Sequence, residues 1–477
     1  MDLSEDWKDP IDQWAHRIDL PLRFVIVAFL LHTIGELGEA SRLYNQAKDH
    51  FEKLGDQSGT AKTEHQLGMI EQRKGNYEEA IRLYDQSLEI KRKLGNQSGI
   101  ASTLHQLGMI EQRKGNYDEA SKLYNESLEI NRKLGDQSGI ASTLHQLGMI
   151  EQRKGNYDEA SKLYNESLEI ERKLGDPSGI ASTLGQLGYI EYSKGNYDGA
   201  RRQYNDVKAI FEKLGDQPGI SRTLHQLGMI EQDTGNYDEA IRRYDESLEI
   251  KRKLGDQPGI SRTLHQLGMI EQRKGNYDEA SKLYNEILEI NRKLGNQSGI
   301  ASSLHQLGMI EQEKGNYDEA ERLYNESLEI ERKLGDQSGI ASTLHNLGMI
   351  EQDKGNYDEA KKLYDQSLEI ERKLGNQSGI ASSLHQLGTM ELQKIRYYEA
   401  IILYNESLEI KRKLGDQTGI ASTLGRLGRL AESQKDLTAA EKYYKEANQI
   451  FEKLGEKPHI ELSKKDLERI RQLKEKT

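Results

Sequence analysis

The sequence predicts an all-α solenoid of about eleven helix-turn-helix repeats closed by a C-terminal capping helix, and three observations predict it. The string LGMIEQ begins at Leu67 and recurs at Leu107, Leu147, Leu227, Leu267, Leu307 and Leu347, always 40 residues or a multiple of 40 apart. The alanines at Ala80, Ala120, Ala160 and Ala200 keep that register and extend it from Ala40 to Ala440. The 44 glycines fall at set intervals, against only 6 prolines, so they punctuate elements instead of loosening them. Self-similarity at such a period, with no insertion, implies one structural unit and one neighbour interface, repeated. The repeats span residues 20–455, with a terminal segment 1–19 before them and a capping helix in 456–477 after them.

Each element of the unit has a local reason. Ile100, Leu104, Leu107 and Ile110 have the spacing of one helical face, with Gly108 at its edge. Gly115 ends that helix by supplying a left-handed C-terminal conformation. Asn116, three residues before Glu119, predicts a capping box that opens a second helix. The second stripe is Tyr117, Ala120, Leu123, Tyr124, Leu128 and Ile130, and Gly135 stops it. Asp136 is placed to cap the next first helix, and Pro177, Pro218 and Pro258 follow the equivalent aspartates in the first turn, where no N–H is needed.

The ends differ from the array. The apolar run Phe24 to Leu31 is too short to span a bilayer and no basic segment precedes it, so a buried first helix is expected and not a signal peptide. Val25 and Phe29 stand where later repeats place His and Met, which makes the first such position apolar. Trp7 and Trp14 lie just upstream, and Trp14 or a partner is expected to cover it. Beyond Gly455, Ile460, Leu462, Leu467, Ile470 and Leu473 alternate with lysines and predict the amphipathic cap that a solenoid end requires.

The spacing of Leu107, Gly108, Gly115, Ala120, Tyr124 and Leu128 resembles the tetratricopeptide repeat, in the 40-residue form of kinesin light chains and Pins-type polarity adaptors. The resemblance implies a right-handed superhelix whose first helices line a concave groove for peptides or partner domains. It also extends to the sensor arms of signalling NTPases, although no GxxxxGK[ST] loop is present here. Two departures matter. Glu71, Glu111, Glu151, Glu231, Glu271, Glu311 and Glu351 replace an aromatic within the apolar stripe. A buried carboxylate needs a partner, so these are expected either to reach solvent at the helix end or to bond a neighbouring repeat. The adaptors' groove asparagines are mostly glutamine here, such as Gln106, with only Asn346 matching, so their ligand does not transfer.

On the resemblance, the groove carries three ladders. They are His65, His105, His145, His225, His265, His305, His345 and His385; Met69, Met109, Met149, Met229, Met269, Met309 and Met349; and glutamines including Gln72, Gln112 and Gln152. Histidines of adjacent repeats should lie about 10 Å apart, the spacing of packed helices, too far for shared metal ligation. No carboxylate orients them for catalysis, so neither metal, cofactor nor enzymatic activity is expected. Binding of a peptide or partner protein is expected instead, with a regulatory arm in a signalling assembly as the alternative. A titratable histidine row would make such binding pH-sensitive. Irregular repeats stand out: Gly185, Tyr189 and Tyr192 replace His, Met and Gln in the fifth and predict an aromatic-walled pocket. Thr389, Leu392 and Ile395 break the tenth repeat, while Gly425, Arg426 and Arg429 make the eleventh more basic. The net charge of -12 argues against nucleic acid, and the absence of cysteine excludes disulfides and thiolate chemistry while fitting a reducing cytoplasm.

Overall fold

A computed structural model describes residues 20–475, and everything said of structure refers to them. The expected cover over the first repeat, Trp7 and Trp14 within 1–19, lies outside those residues. The described chain is all helix: 23 helices, from Leu20–Ile34 to Lys457–Glu475, form eleven pairs followed by a single last helix. The chain divides into two compact units, Met1–Ser247 and Leu248–Thr477.

In the third repeat the helices are Gln97–Lys114 and Tyr117–Leu134. Gly115 and Gly135 close them at φ 84° and 70°, the left-handed region that a Cβ disfavours. Asp136 caps the next helix by accepting from the Gly139 N–H at 3.0 Å. The capping box at Asn116 does not form. Asn116 donates its Nδ2–H to Glu111 Oε2 at 2.6 Å instead of capping with its own oxygen. That bond answers the glutamate puzzle as well: Glu111 sits half-buried at its helix end, held by Asn116 and by Lys114 at 3.0 Å. Glu231 and Glu391 add a partner from the preceding repeat, Arg201 and Lys361.

No repeat owns its core. Ala120, Tyr124 and Leu128 of the third repeat are buried in one cluster with Ile140, Leu144, Leu147 and Ile150 of the fourth. Within the repeat, Tyr124 lies over Gly108, where an added Cβ would stand 2.8 Å from the ring. Ser127, fully buried on the same helix, donates to the Ala101 carbonyl at 2.8 Å. Ion pairs such as Arg132–Glu166 at 2.8 Å tie neighbouring second helices, but both side chains are exposed and add little.

The ends depart from expectation. The first helix buries one face through Ala28 and His32, while Phe29 is 53% exposed. The last helix buries Ile470 with Ser463 and Asp466, and leaves Leu462 exposed, so its contact face is more polar than its sequence suggested. In the tenth repeat Ile395 occupies the left-handed position at φ 61°, a strained setting for a β-branched residue.

The glycine–tyrosine seat generates a stability prediction. Gly108→Ala must displace a fully buried ring, and should cost about 1–3 kcal/mol. Urea denaturation followed by circular dichroism should show an earlier midpoint, whereas Gly115→Ala acts only through its left-handed φ.

Candidate functional site

The first-helix ladders are built into the packing more than the sequence implied. His105 is half-buried, its ring centroid 5.2 Å from that of Tyr124, and its Nδ1 lies 3.3 Å from Thr143 Oγ1 in the next repeat. His65 and His145 repeat the arrangement with Thr103 and Thr183, at 3.1 and 3.0 Å. His305 and His385 do so with Thr343 and Thr423. The glutamines turn inward: Gln112 Oε1 accepts from the Tyr124 hydroxyl at 2.8 Å, and Gln72 and Gln152 do the same for Tyr84 and Tyr164. Met109, Met149, Met309 and Met349 lie half-buried against the inter-repeat clusters. Asn346, the one residue matching the adaptors' asparagines, donates to His305 Nε2 at 3.1 Å.

In several repeats a third residue joins the His–Thr contact. On the second helix this position reads Lys91, Asn131 and Glu171 in successive repeats, all buried. Lys91 donates to Thr103 at 2.8 Å, and Thr183 donates to Glu171 at 3.0 Å. In the first, fifth and eleventh repeats the position is Phe51, Phe211 and Phe451, and there the histidine is replaced by Val25, Gly185 and Gly425. Those substitutions coincide with cavities. Nothing stands within 4 Å of the missing Gly185 Cβ, and the space opens into a cavity of about 760 Å³. Its walls include Tyr189, Tyr204, Val207, Phe211 and Met149, with Arg153 and Arg222 at its edge. Tyr189 is 43% exposed. No carboxylate lines this cavity, and neither arginine has an ion-pair partner among the described residues.

Tyr192 is not part of that wall. Its hydroxyl donates to Asp233 and its ring packs edge-on against Tyr197, 5.8 Å away, so it braces the sixth repeat. Gly425, Arg426 and Arg429 line a smaller cavity of about 290 Å³ against the last helix, with Phe451 and Tyr444. Val25 and Phe29 line an apolar one of about 490 Å³ with Phe51. The phenylalanine was the missed signal: the FEKLG string at Phe51, Phe211 and Phe451 marks these three cavities and is legible in the sequence, while a hollow of about 250 Å³ beside His105 and Asn131 forms without it.

The expectation of a groove that titrates near neutrality is overturned by burial. Desolvation holds His105, His145, His305 and His345 down to about 4, and His65 and His385 to about 3. Lowered folded pKa values mean that the unfolded chain binds more protons between about pH 4 and 6.5, so stability is present at neutral pH and lost on acidification through that window. Glu171, Glu331, Asp85, Asp353 and Asp365, raised by burial, act in the opposite sense, but the lowered histidines outnumber them. Thermal melts at pH 7 and pH 5 should therefore show a lower Tm at pH 5. The drop should shrink in His105→Gln, with a slope change of at most about 1.4 kcal/mol per pH unit.

Comparison with known proteins agrees with this architecture. The tetratricopeptide repeat model matches residues 25–93, 99–173, 179–253, 219–293, 259–333, 339–395 and 379–453. No curated protein matches the chain. Among solved structures, a signal transduction ATPase from Pyrococcus horikoshii with a tetratricopeptide repeat sensor is 18% identical, with a TM-score of 0.54 over 69% of this chain and 52% of its own. The apo quorum sensor NprR of B. thuringiensis is 15% identical, with a TM-score of 0.51 over 76% of this chain and 99% of its own. At these identities the likeness is one of fold. With the family model matching nearly the whole repeat region, the chain belongs to the tetratricopeptide repeat family.

Proposed function

We propose that the array is a non-catalytic protein-interaction module, and that in its first unit a partner's side chain enters the cavity at Gly185. The observation that carries this reading is the loss of one imidazole. Where eight repeats place a histidine over the tyrosine ring, the fifth has none, and the vacated space joins an aromatic-walled cavity of about 760 Å³. Aromatic and arginine side chains around a recess are the composition of binding hot spots. Arg153 and Arg222, uncompensated at its edge, favour a segment bearing negative charge. The wall would accept an apolar or aromatic side chain from that segment. No described helix is long and apolar enough to cross a membrane, and the absence of cysteine fits a partner met in a reducing cytoplasm.

The test fills the cavity with the array's own residue. Gly185→His puts back the side chain that eight other repeats carry, at a position with open space, so the variant should fold as the parent does. Immobilised parent and variant are compared for proteins retained from a lysate of the native host, with Tyr189→Ala beside them. The expected result is a partner whose retention falls about tenfold or more in both variants, equivalent to about 1.4 kcal/mol. Identical retention by all three removes the proposal.

A further inference from the structure

We infer that the histidines bonded to a threonine of the next repeat are locked with their hydrogen on Nδ1, so that the groove offers their Nε2 lone pairs as acceptors and selects ligands that bring side-chain amide N–H donors. The inference rests on the first-helix face being the peptide-binding face, and it names the chemistry that face can read.

The argument is a count of hydrogens. A threonine hydroxyl has one hydrogen to give and two lone pairs to receive with. Thr103 gives its hydrogen to the Gly99 carbonyl at 2.8 Å, and Lys91 donates to it at 2.8 Å. The contact of His65 Nδ1 at 3.1 Å is satisfied only if Nδ1 is the donor. Thr143 spends its hydrogen on Gly139 O at 2.7 Å, and Thr183 on the Glu171 carboxylate at 3.0 Å. His105 and His145 must therefore donate as well. The rings stay neutral at neutral pH because burial disfavours their charged form. A neutral imidazole with hydrogen on Nδ1 has a bare Nε2, an acceptor and nothing else.

One copy shows this acceptor in use. His305 contacts Thr343 through Nδ1 at 2.9 Å, and Thr343 gives its hydrogen to Glu331 at 3.1 Å. On the other side of the ring Asn346 Nδ2 donates to Nε2 at 3.1 Å. In the repeats that follow the other histidines that position is Gln or Arg, and the Nε2 of His65, His105 and His145 has no such amide among the described residues. An Asn or Gln side chain is the ligand group that reproduces the Asn346 contact; a carboxylate has no hydrogen to give. The chain also holds its own controls. His265 and His345 face Ser303 and Ser383, and neither makes the Nδ1 contact among the described residues.

The experiment uses the full chain labelled with ¹⁵N-histidine, long-range ¹H–¹⁵N correlation at pH 7, and assignment by single His→Gln variants. Hydrogen on Nδ1 is expected at His65, His105 and His145, and on Nε2 in a substantial share at His265 and His345. Thr143→Val, which removes the acceptor, should shift His105 alone toward the Nε2 form. Hydrogen on Nε2 at His65, His105 and His145, or no response to Thr143→Val, overturns the locking. An octapeptide of alternating asparagine and glycine, titrated into the same sample, should move the Nε2 resonance of His105, and the glutamate–glycine counterpart should not. Equal movement by both, or by neither, overturns the ligand class. Gly185→His should leave all these readings unchanged, so failure at the fifth-repeat cavity and failure of the histidine row are read separately.

Discussion

The contact on which the rest depends is the tyrosine ring seated on a glycine one helix away. Tyr124 is fully buried against Gly108, at a distance that no Cβ would permit. That approach sets the two helices of a repeat close together and points the phenol at Gln112. It also presents the outer ring face to His105, whose imidazole then reaches Thr143 of the next repeat. A single small residue thus links packing inside a repeat to the register between repeats. Because each core cluster is shared by two repeats, the same contact propagates along each unit without any repeat being stable alone.

In two repeats that lose one member of this arrangement the structure shows what replaces it, whereas the hydroxyls of Tyr44 and Tyr284 are buried without such a partner among the described residues. In the tenth, Leu392 takes the glutamine's place and cannot receive the Tyr404 hydroxyl; Thr389, in the methionine's place, lies 3.0 Å from that oxygen instead. In the eleventh, Glu432 receives the Tyr444 hydroxyl at 3.2 Å, and is itself held by Arg469 of the last helix at 2.8 Å. These exchanges keep a buried phenol bonded, as its desolvation requires. They are repairs of packing, which is why the irregular tenth repeat opens no cavity comparable to the fifth.

Most of the fold was legible because period, glycine punctuation and apolar stripes all pointed the same way. The misreadings concerned side chains whose partners are distant in sequence. Asn116 looks like a cap for the helix that follows, yet its amide is oriented by the Nδ2–H bond to the Glu111 carboxylate on the preceding helix, and its oxygen makes no cap bond. The histidines read as a solvent-facing row because helical periodicity places them opposite the apolar stripe. Periodicity carries no information about the neighbouring repeat, and it is the neighbour's threonine and the tyrosine ring that bury them. Tyr192 belongs to the same class, since Asp233, its partner, lies one repeat away.

A coupled substitution accompanies three of the recesses, the largest of them at Gly185, although a regular repeat also leaves a hollow of about 250 Å³ beside His105, Asn131 and Thr143. At the His–Thr contacts the second helix places a polar residue, Lys91, Asn131 and Glu171 in turn, and Lys91 and Glu171 bond the threonine directly. Phe211 cannot bond a hydroxyl, so an imidazole opposite it would face Thr223 with a less polar surrounding, while Thr223 is already bonded to Gly219 O at 2.8 Å. Removing the imidazole and placing phenylalanine together converts a polar junction into an apolar-walled hollow. The same pair of changes occurs at Gly425 with Phe451, and a valine with Phe51 gives the apolar variant of it. Three repeats that share one string, FEKLG, therefore share one structural consequence, whereas duplication alone would leave the junction intact in each. Their linings differ, with aromatic groups and arginine at Gly185, arginines at Gly425 and hydrocarbon at Val25. On the proposed reading, selectivity between partners would lie in those linings, with the regular repeats holding them in place.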